Sequence, residues 1–281
     1  MKKLIATAAA AMIAAAGLAG IAGCGSNTAA EPSTQGPREL VTDKTLSEKT
    51  AKTGGGMLAM AKAAEARKYL FALFRKEEDG QTAAMRSVLQ DVMKEVADRA
   101  DSVEVNVTAV SERAIVDKFG LDRAPMPLIL AVAPNGAITG GFPTKAEKQN
   151  LLEAFASPCM EKCMKSLQEN KLVFLCIQNS STKANSDAMQ GVHDFQADER
   201  FARATQIVTL DPTDATEAEF LKDLQVDPKT AEATTVFLAP PGVPIAMYQG
   251  PTKKDELVAT LSKASSACGP GGCGPGGCAP K

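Results

Sequence analysis

The sequence has no tryptophan, a single histidine and two tyrosines, and aromatic residues make up only 4% of its 281 positions. With one His, a two-His metal motif cannot be assembled, and no Ser-His-acid sequence pattern is recognisable around it. His193, in "GVHDF", reads as a surface or packed residue of a helix. Phosphate-loop and calcium-loop patterns are also missing, so enzyme classes built on them have no support. Charge of either sign is not in excess: 31 basic residues stand against 33 acidic ones, a formal net charge of -2. Nothing here suits a nucleic-acid surface or an acidic substrate.

Long apolar runs are absent except at the start, "MKKLIATAAAAMIAAAGLAGIAGC". Lys2 and Lys3 precede an apolar run of small residues over positions 4–20, which reads as a cleaved export signal spanning 1–23. No other stretch is long and apolar enough to span a bilayer. The end of this signal, Ile21-Ala22-Gly23-Cys24, resembles the lipobox of bacterial lipoproteins. That resemblance implies that Cys24 is acylated, by palmitate or a similar chain, and becomes the mature N-terminus. The alternative is an ordinary secretory signal cleaved near Gly20 or Gly23. Acyl chains contribute about 0.8 kcal/mol per buried methylene, so a multiply acylated Cys24 holds the protein on the membrane. The expected location is the cell envelope, on the extracytoplasmic side. Gly25 after the Cys resembles lipoproteins sent to an outer membrane. Residues 24–56 are rich in Ser, Thr, Pro, Gly and charge and read as a flexible tether.

A folded body is expected from residue 57. "MLAMAKAAEARK" has helical character, "YLFALF" that of a buried strand, and "TAAMRSVLQDVMKEVADRA" places Met85, Val88, Leu89, Val92, Met93 and Val96 at helical spacing. In "SVEVNVTAV" the residues Val103, Val105 and Val107 alternate as in a strand. "ERAIVDKFGL" is helical again, "PLILAVA-PNG-AITGGF" a hairpin, and "KAEKQNLLEAFA" a closing amphipathic helix. Strands separated by helices imply parallel pairing, with the last two antiparallel.

The second half repeats this order. "KLVFLCI" matches "KYLFALF", "TQIVTLD" matches "SVEVNVT", "EAEFLKDLQV" matches "ERAIVDKFGL" and "TTVFLAPPG" matches "PLILAVAPNG". Aligning the Pro-Thr-Lys of position 143 with that of 251 brings Cys159 within one residue of Cys268, each after the last helix of its repeat. The chain therefore divides into units at 57–157 and 158–267, followed by a Cys/Gly/Pro-rich tail, "CGPGGCGPGGCAPK", over 268–281.

The stretch "VDKFGLDRAPMPLILAVAPNGAITGGF" resembles the C-terminal half of thioredoxin-like domains: a helix ending in Lys-Phe-Gly, a short loop, a Pro opening a buried strand, then a hairpin. The resemblance implies an α/β fold of two tandem thioredoxin-like domains, each a mixed sheet flanked by helices. It further implies that Pro127 is cis and that Met126 offers its backbone to an extended peptide. The second half has Ala233-Thr234-Thr235 in that region. The redox chemistry of that family needs C-x-x-C at the start of the helix after the first strand, where the helix dipole favours a thiolate. This chain instead has Asp79-Gly80-Gln81-Thr82 in one half and Thr182-Lys183-Ala184-Asn185 in the other. Asp79 and Thr182 read as helix N-caps.

Seven cysteines remain to be explained. Outside the cytoplasm disulfides are permitted, and the six besides Cys24 allow fifteen pairings. Cys176, in "KLVFLCIQ", reads as a buried structural thiol. Cys159 and Cys163, in "SPCMEKCMKSL", share a helix face with Met160 and Met164 beside them. That spacing suits a soft ion, Cu(I) or Zn, better than a direct disulfide. Pairing with tail residues Cys268, Cys273 and Cys278 and free thiols are the other options. Two functional readings follow. One is a membrane-anchored scaffold or binding module for a peptide or another envelope protein, without catalytic residues. The other is a thiol centre of Cys159, Cys163, Cys268, Cys273 and Cys278 that binds soft metal or exchanges disulfides as a non-standard oxidoreductase.

Overall fold

The computed structural model describes residues 54–267. The signal, Cys24, most of the tether and tail residues Cys268, Cys273 and Cys278 lie outside them. The first unit runs α1 (Gly55–Glu65), β1 (Tyr69–Arg75), α2 (Gly80–Val96), β2 (Ala100–Asn106), α3 (Arg113–Phe119), β3 (Leu128–Val132), β4 (Ile138–Pro143) and α4 (Lys148–Leu152). The second runs α5 (Pro158–Gln168), β5 (Leu172–Ile177), α6 (Asn185–Ala197), β6 (Thr205–Leu210), α7 (Ala218–Asp223), β7 (Thr234–Ala239), β8 (Val243–Gln249) and α8 (Lys254–Ala267).

Local chemistry accounts for these elements. β1 is apolar on both faces because it is central and helices cover both sides of its sheet. Edge strand β2 buries only Ala100 and Val105 and leaves Ser102 and Glu104 exposed. In α2 the buried Met85, Leu89, Val92 and Val96 recur at helical spacing. Helix α3 ends at Gly120, whose φ of 62° is the left-handed conformation that suits a helix C-terminus.

The sheets have strand orders β2-β1-β3-β4 and β6-β5-β7-β8. β1 pairs with β2 in parallel, and β5 with β6 likewise. β3 departs from the expected parallel pairing and is antiparallel to β1, as β7 is to β5. The reason is length: α3 has seven residues and spans about 10 Å, too short to return the chain along a full strand. β3 therefore starts beside the end of β1, with Leu128 opposite Phe74. Two four-stranded mixed sheets flanked by helices give the α/β arrangement of two thioredoxin-like domains.

The duplication extends to backbone detail. β3–β4 and β7–β8 each shift register at the corresponding point, between Ala131 and Val132 and between Phe237 and Leu238. After the first helix of each unit one residue, Arg67 or Asn170, is left-handed with φ of 56° and 58°. The bond from the Thr144 N–H to the Pro127 carbonyl recurs as Gly250 N–H to Ala233 carbonyl. Thr144 thus corresponds to Gly250, and Lys148 at the start of α4 to Lys254 at the start of α8. This corrects the Pro-Thr-Lys alignment by two residues and removes the equivalence of Cys159 with Cys268. Cys159 lies in the first helix of the second unit, on the register of Gly56 in α1.

The last helix of the first unit is also shorter than expected, five residues against fourteen in α8. The chain leaves α4 and enters α5 behind Ser157 and Pro158, an N-cap and N1 pair. α5 then packs against β5 and β6 of its own unit and against β4 of the other. Its Cys159, Met160, Cys163, Met164 and Leu167 are buried in one core with Phe71, Leu89 and Ile129 of the first unit and Leu175, Val208 and Phe220 of the second. Large apolar side chains buried this way contribute about 1.5–3 kcal/mol each. Gln168 completes the junction: its amide donates to the Ile138 carbonyl at 2.7 Å and accepts from the Ile138 N–H at 2.9 Å, pairing exposed edge groups of β4. Among the described residues no helix is long and apolar enough to cross a membrane.

Candidate functional site

The family-like end of the first sheet lies where β1 finishes, α2 begins and the loop before β3 passes. Asp79 caps α2 as expected, accepting from the Thr82 N–H at 2.7 Å. That bond holds the Asp79 carboxyl below the usual range. The Thr82 hydroxyl donates to the Glu77 carbonyl at 3.2 Å. No cysteine stands at this helix start. The peptide bond between Met126 and Pro127 is cis. Pro127 is buried, and Met126 is half-buried against the core formed by Leu70, Phe74, Leu121 and Leu130. The loop is tied to α2 by a relay: Gln81 Nε2 donates to the Thr144 carbonyl at 2.6 Å, and the Thr144 N–H donates to the Pro127 carbonyl at 2.7 Å. The Met126 N–H and C=O have no hydrogen-bond partner among the described residues. An unpaired donor and acceptor held on a rigid loop can pair with an extended chain laid beside it.

Between the end of β1, α2 and β2, Arg86 forms a fork between Glu78, at 2.5 Å, and Glu104, at 2.7 Å, and Arg75 also bonds Glu104. Arg86 holds both carboxyls below the usual range. The groups are exposed enough for the network to orient the surface and contribute little to stability.

The same place in the second unit is built differently. Register puts Ala233 at the position of Pro127 and Glu232 at that of Met126, so the region starts one residue before the expected Ala233-Thr234-Thr235. Lys183 bridges in parallel to Glu232, its N–H on the Ala231 carbonyl and its carbonyl on the Ala233 N–H, both at 2.9 Å. Thr182 is not the helix cap. α6 begins at Asn185, behind Ala184 in a left-handed conformation, φ 60°, with no side-chain cap. The Thr182 hydroxyl instead accepts from the Asn179 N–H at 2.9 Å and bonds Asn185 Oδ1 at 2.7 Å, while Asn185 Nδ2 donates to the Asn179 carbonyl. The strand-like bridge holds residue 183 beside the β7 loop and postpones the helix. The chain's own segment therefore fills the space.

The cysteines of α5 face inward. Cys163 is fully buried and Cys159 nearly so, and with Cys176 they are free thiols. Burial pushes the Cys159 thiol up to about 11, with the nearby Glu217 carboxylate adding to it. Burial likewise raises Cys163 and takes Cys176 to about 12. Thiols so placed stay protonated near neutral pH, the opposite of a reactive cysteine. Met160 and Met164 line a cavity of about 290 Å³ with Phe155 and Phe220. Among the described residues no three His, Cys, Asp or Glu side chains are placed to hold a metal ion. His193 is exposed on α6.

Sequence reasoning missed three residues at the junction. Glu217, 2% exposed, accepts from the Cys159 N–H at 2.8 Å and the Ser157 hydroxyl at 2.5 Å, closing the N-terminus of α5. Tyr69 of β1 donates its hydroxyl to Glu161 of α5 and accepts from the Ala156 N–H at 2.9 Å. Burial raises the Glu161 carboxyl above its usual range, and the Tyr69 bond opposes that rise. Nothing local marks these residues, because each partner is about 60 to 90 positions away.

No family model and no curated protein matches the chain. Among solved structures, the germline-specific thioredoxin Deadhead of Drosophila melanogaster is 16% identical over 37% of this chain and 91% of its own, with a TM-score of 0.30. Thioredoxin O1 of Arabidopsis thaliana in its oxidized state is 17% identical over 35% and 84%, with a TM-score of 0.29. The first two thioredoxin domains of Saccharomyces cerevisiae Eps1p cover 82% of this chain and 99% of their own at 11% identity, with a TM-score of 0.25. Strand order and register define the fold.

Proposed function

We propose that the protein is a lipid-anchored envelope module that docks an extended peptide or protein segment on the Met126–Pro127 loop of its first unit, without dithiol chemistry. The observation that carries this reading is the unpaired backbone N–H and C=O of Met126 beside the cis bond to Pro127, on a loop pinned to α2. The start of α2 supports a binding role over a redox one, since it holds Asp79 and Thr82 in place of thiols. Anchoring through Cys24 and an extracytoplasmic, outer-membrane location belong to the same proposal, supported by the basic, apolar and small-residue order of positions 1–24. The thiol-centre reading draws no help from Cys159 and Cys163, whose sulfurs are buried and protonated. It would have to rest on the tail cysteines.

The test is a screen of extended peptides displayed on phage against the full chain, followed by affinity measurements with the Met126→Asp and Gln81→Ala variants. A selected peptide is expected to bind about tenfold or more weakly to Met126→Asp. A smaller loss is expected for Gln81→Ala. Equal affinity for all three proteins would remove the docking loop from consideration. In parallel, insulin reduction driven by dithiothreitol is expected to run no faster than without protein. A rate that depends on Cys268, Cys273 or Cys278 would favour the thiol centre. Mass spectrometry of the membrane fraction tests acylation at Cys24.

A further inference from the structure

A second concavity opens at the other end of the first sheet, where β1 starts and β3 ends. Its volume is about 230 Å³, and Met60, Ala64, Leu70 and Val132 supply apolar wall. Three lysines from three elements line it: Lys68 before β1, Lys118 in the last turn of α3, and Lys165 of α5 in the second unit. No acidic side chain lines it.

The positive charge is only partly answered. Lys68 Nζ donates to the Ala97 carbonyl at 2.7 Å and lies 3.4 Å from Asp101. Lys165 pairs with Glu169 at 3.2 Å, but Glu169 is closer to Lys171, at 2.9 Å, and so is shared. Lys118 has no partner among the described residues. The β3–β4 turn forms the rim. Gly136 adopts φ +82°, and a Cβ placed on it would meet Lys165 Nζ at 3.8 Å, which puts that ammonium directly beside the turn backbone. Lysine side chains carry aliphatic stems that can extend an apolar wall beneath a charged head.

We propose that this cavity binds a small anionic amphiphile: a phosphate or carboxylate group on a short apolar body. The lysines and the turn would hold the anion, and the Met60, Leu70 and Val132 wall would take the apolar part. The volume lies just below the usual range for drug-sized ligands, which restricts the body to a short chain or single ring. Because Lys165 comes from the second unit, an occupant would bridge both units. The inference is independent of peptide docking, which uses the opposite end of the sheet.

The experiment titrates the full chain, ¹⁵N-labelled, with octyl phosphate, with octanol and octyltrimethylammonium as controls. Saturable shifts centred on the Asn135 and Gly136 amides are expected for octyl phosphate alone, and they should weaken as salt rises. Lys118→Met and Lys165→Met are each expected to weaken binding about tenfold. Lys118→Arg should retain it. Matched thermal melts confirm that the variants fold. Shifts that fail to saturate, that map elsewhere, or that persist unchanged in both Met variants would overturn the proposal. Phosphatidylglycerol vesicles then identify the source of the anion: displacement of octyl phosphate points to a lipid headgroup, and lack of displacement to a soluble ligand.

Discussion

At the end of β1 the chain leaves the backbone of Met126 unpaired, whereas at the end of β5 it lays Lys183 against Glu232 and packs Thr182, Asn179 and Asn185 into the same space. The two places share strand order, register shift and the tie from Thr144 or Gly250 to the loop. They differ in what the following segment does. In the first unit α2 starts at Gly80 behind a capping Asp, leaving the loop open. In the second, α6 starts late, and the residues before it satisfy one another and the loop. One duplicated frame thus carries an open loop in the first unit and a self-filled one in the second. A second asymmetry lies at the final helices: α8 covers its own sheet, while the short α4 leaves part of that task to α5.

The largest expected effect tests that dependence. A chain ending at Ser157 keeps every strand of the first unit but loses Met160, Cys163, Met164 and Leu167 from its core. It is expected to show no cooperative thermal transition by circular dichroism, and a sharp transition would establish the unit as independent. Next in size, Met164→Ala should cost about 2–5 kcal/mol in urea unfolding, because a large buried thioether is replaced by a cavity. Both units should still unfold in one transition; two separated transitions would break the idea of a shared core.

The two helix starts give a finer comparison. Thr182→Ala leaves the Asn179 N–H without its acceptor in a nearly closed site and should cost about 1–3 kcal/mol. Asp79→Ala removes an exposed cap and should lower stability less. The reverse order would mean that the second site is not the more tightly built.

The smallest effect is a pH dependence at the junction. The raised Glu161 carboxyl means the folded state holds its proton more tightly than the unfolded chain. Its contribution is therefore full below the unfolded carboxylate pKa and falls as pH rises through the folded value. Glu161→Gln, which can still accept from Tyr69, should gain on the native protein at neutral pH and lose that gain on acidification. A difference that does not change between pH 3 and pH 7 would sever the link to ionisation.

Much of the fold was legible because it is written locally. "YLFALF" and "KLVFLCI" are apolar runs of strand length, Met85 to Val96 keeps helical spacing, and Gly120 and Gly136 mark places where the backbone turns left-handed. The loop at Met126 and Pro127 could be located from its neighbours by resemblance. The Pro-Thr-Lys match failed because identical side chains do not define register; backbone bonds do, and they pair Thr144 with Gly250. Thr182 failed as a cap because Lys183 is captured by a loop about fifty residues away. Cys159 and Cys163 looked like a ligand pair on one helix face, but a helix face acquires chemical meaning only from what packs against it.

The sequence by itself determined the α/β order, the duplication, the missing redox motif and the composition of the two ends, since all of these depend on residues near one another in the chain. Only the tertiary structure decided that α5 serves two sheets, that Glu217 and Tyr69 fasten it, that one loop is open and its twin filled, and that Lys68, Lys118 and Lys165 surround one cavity. Those outcomes depend on burial and hydrogen bonding between segments far apart in sequence, where neither periodicity nor spacing carries information.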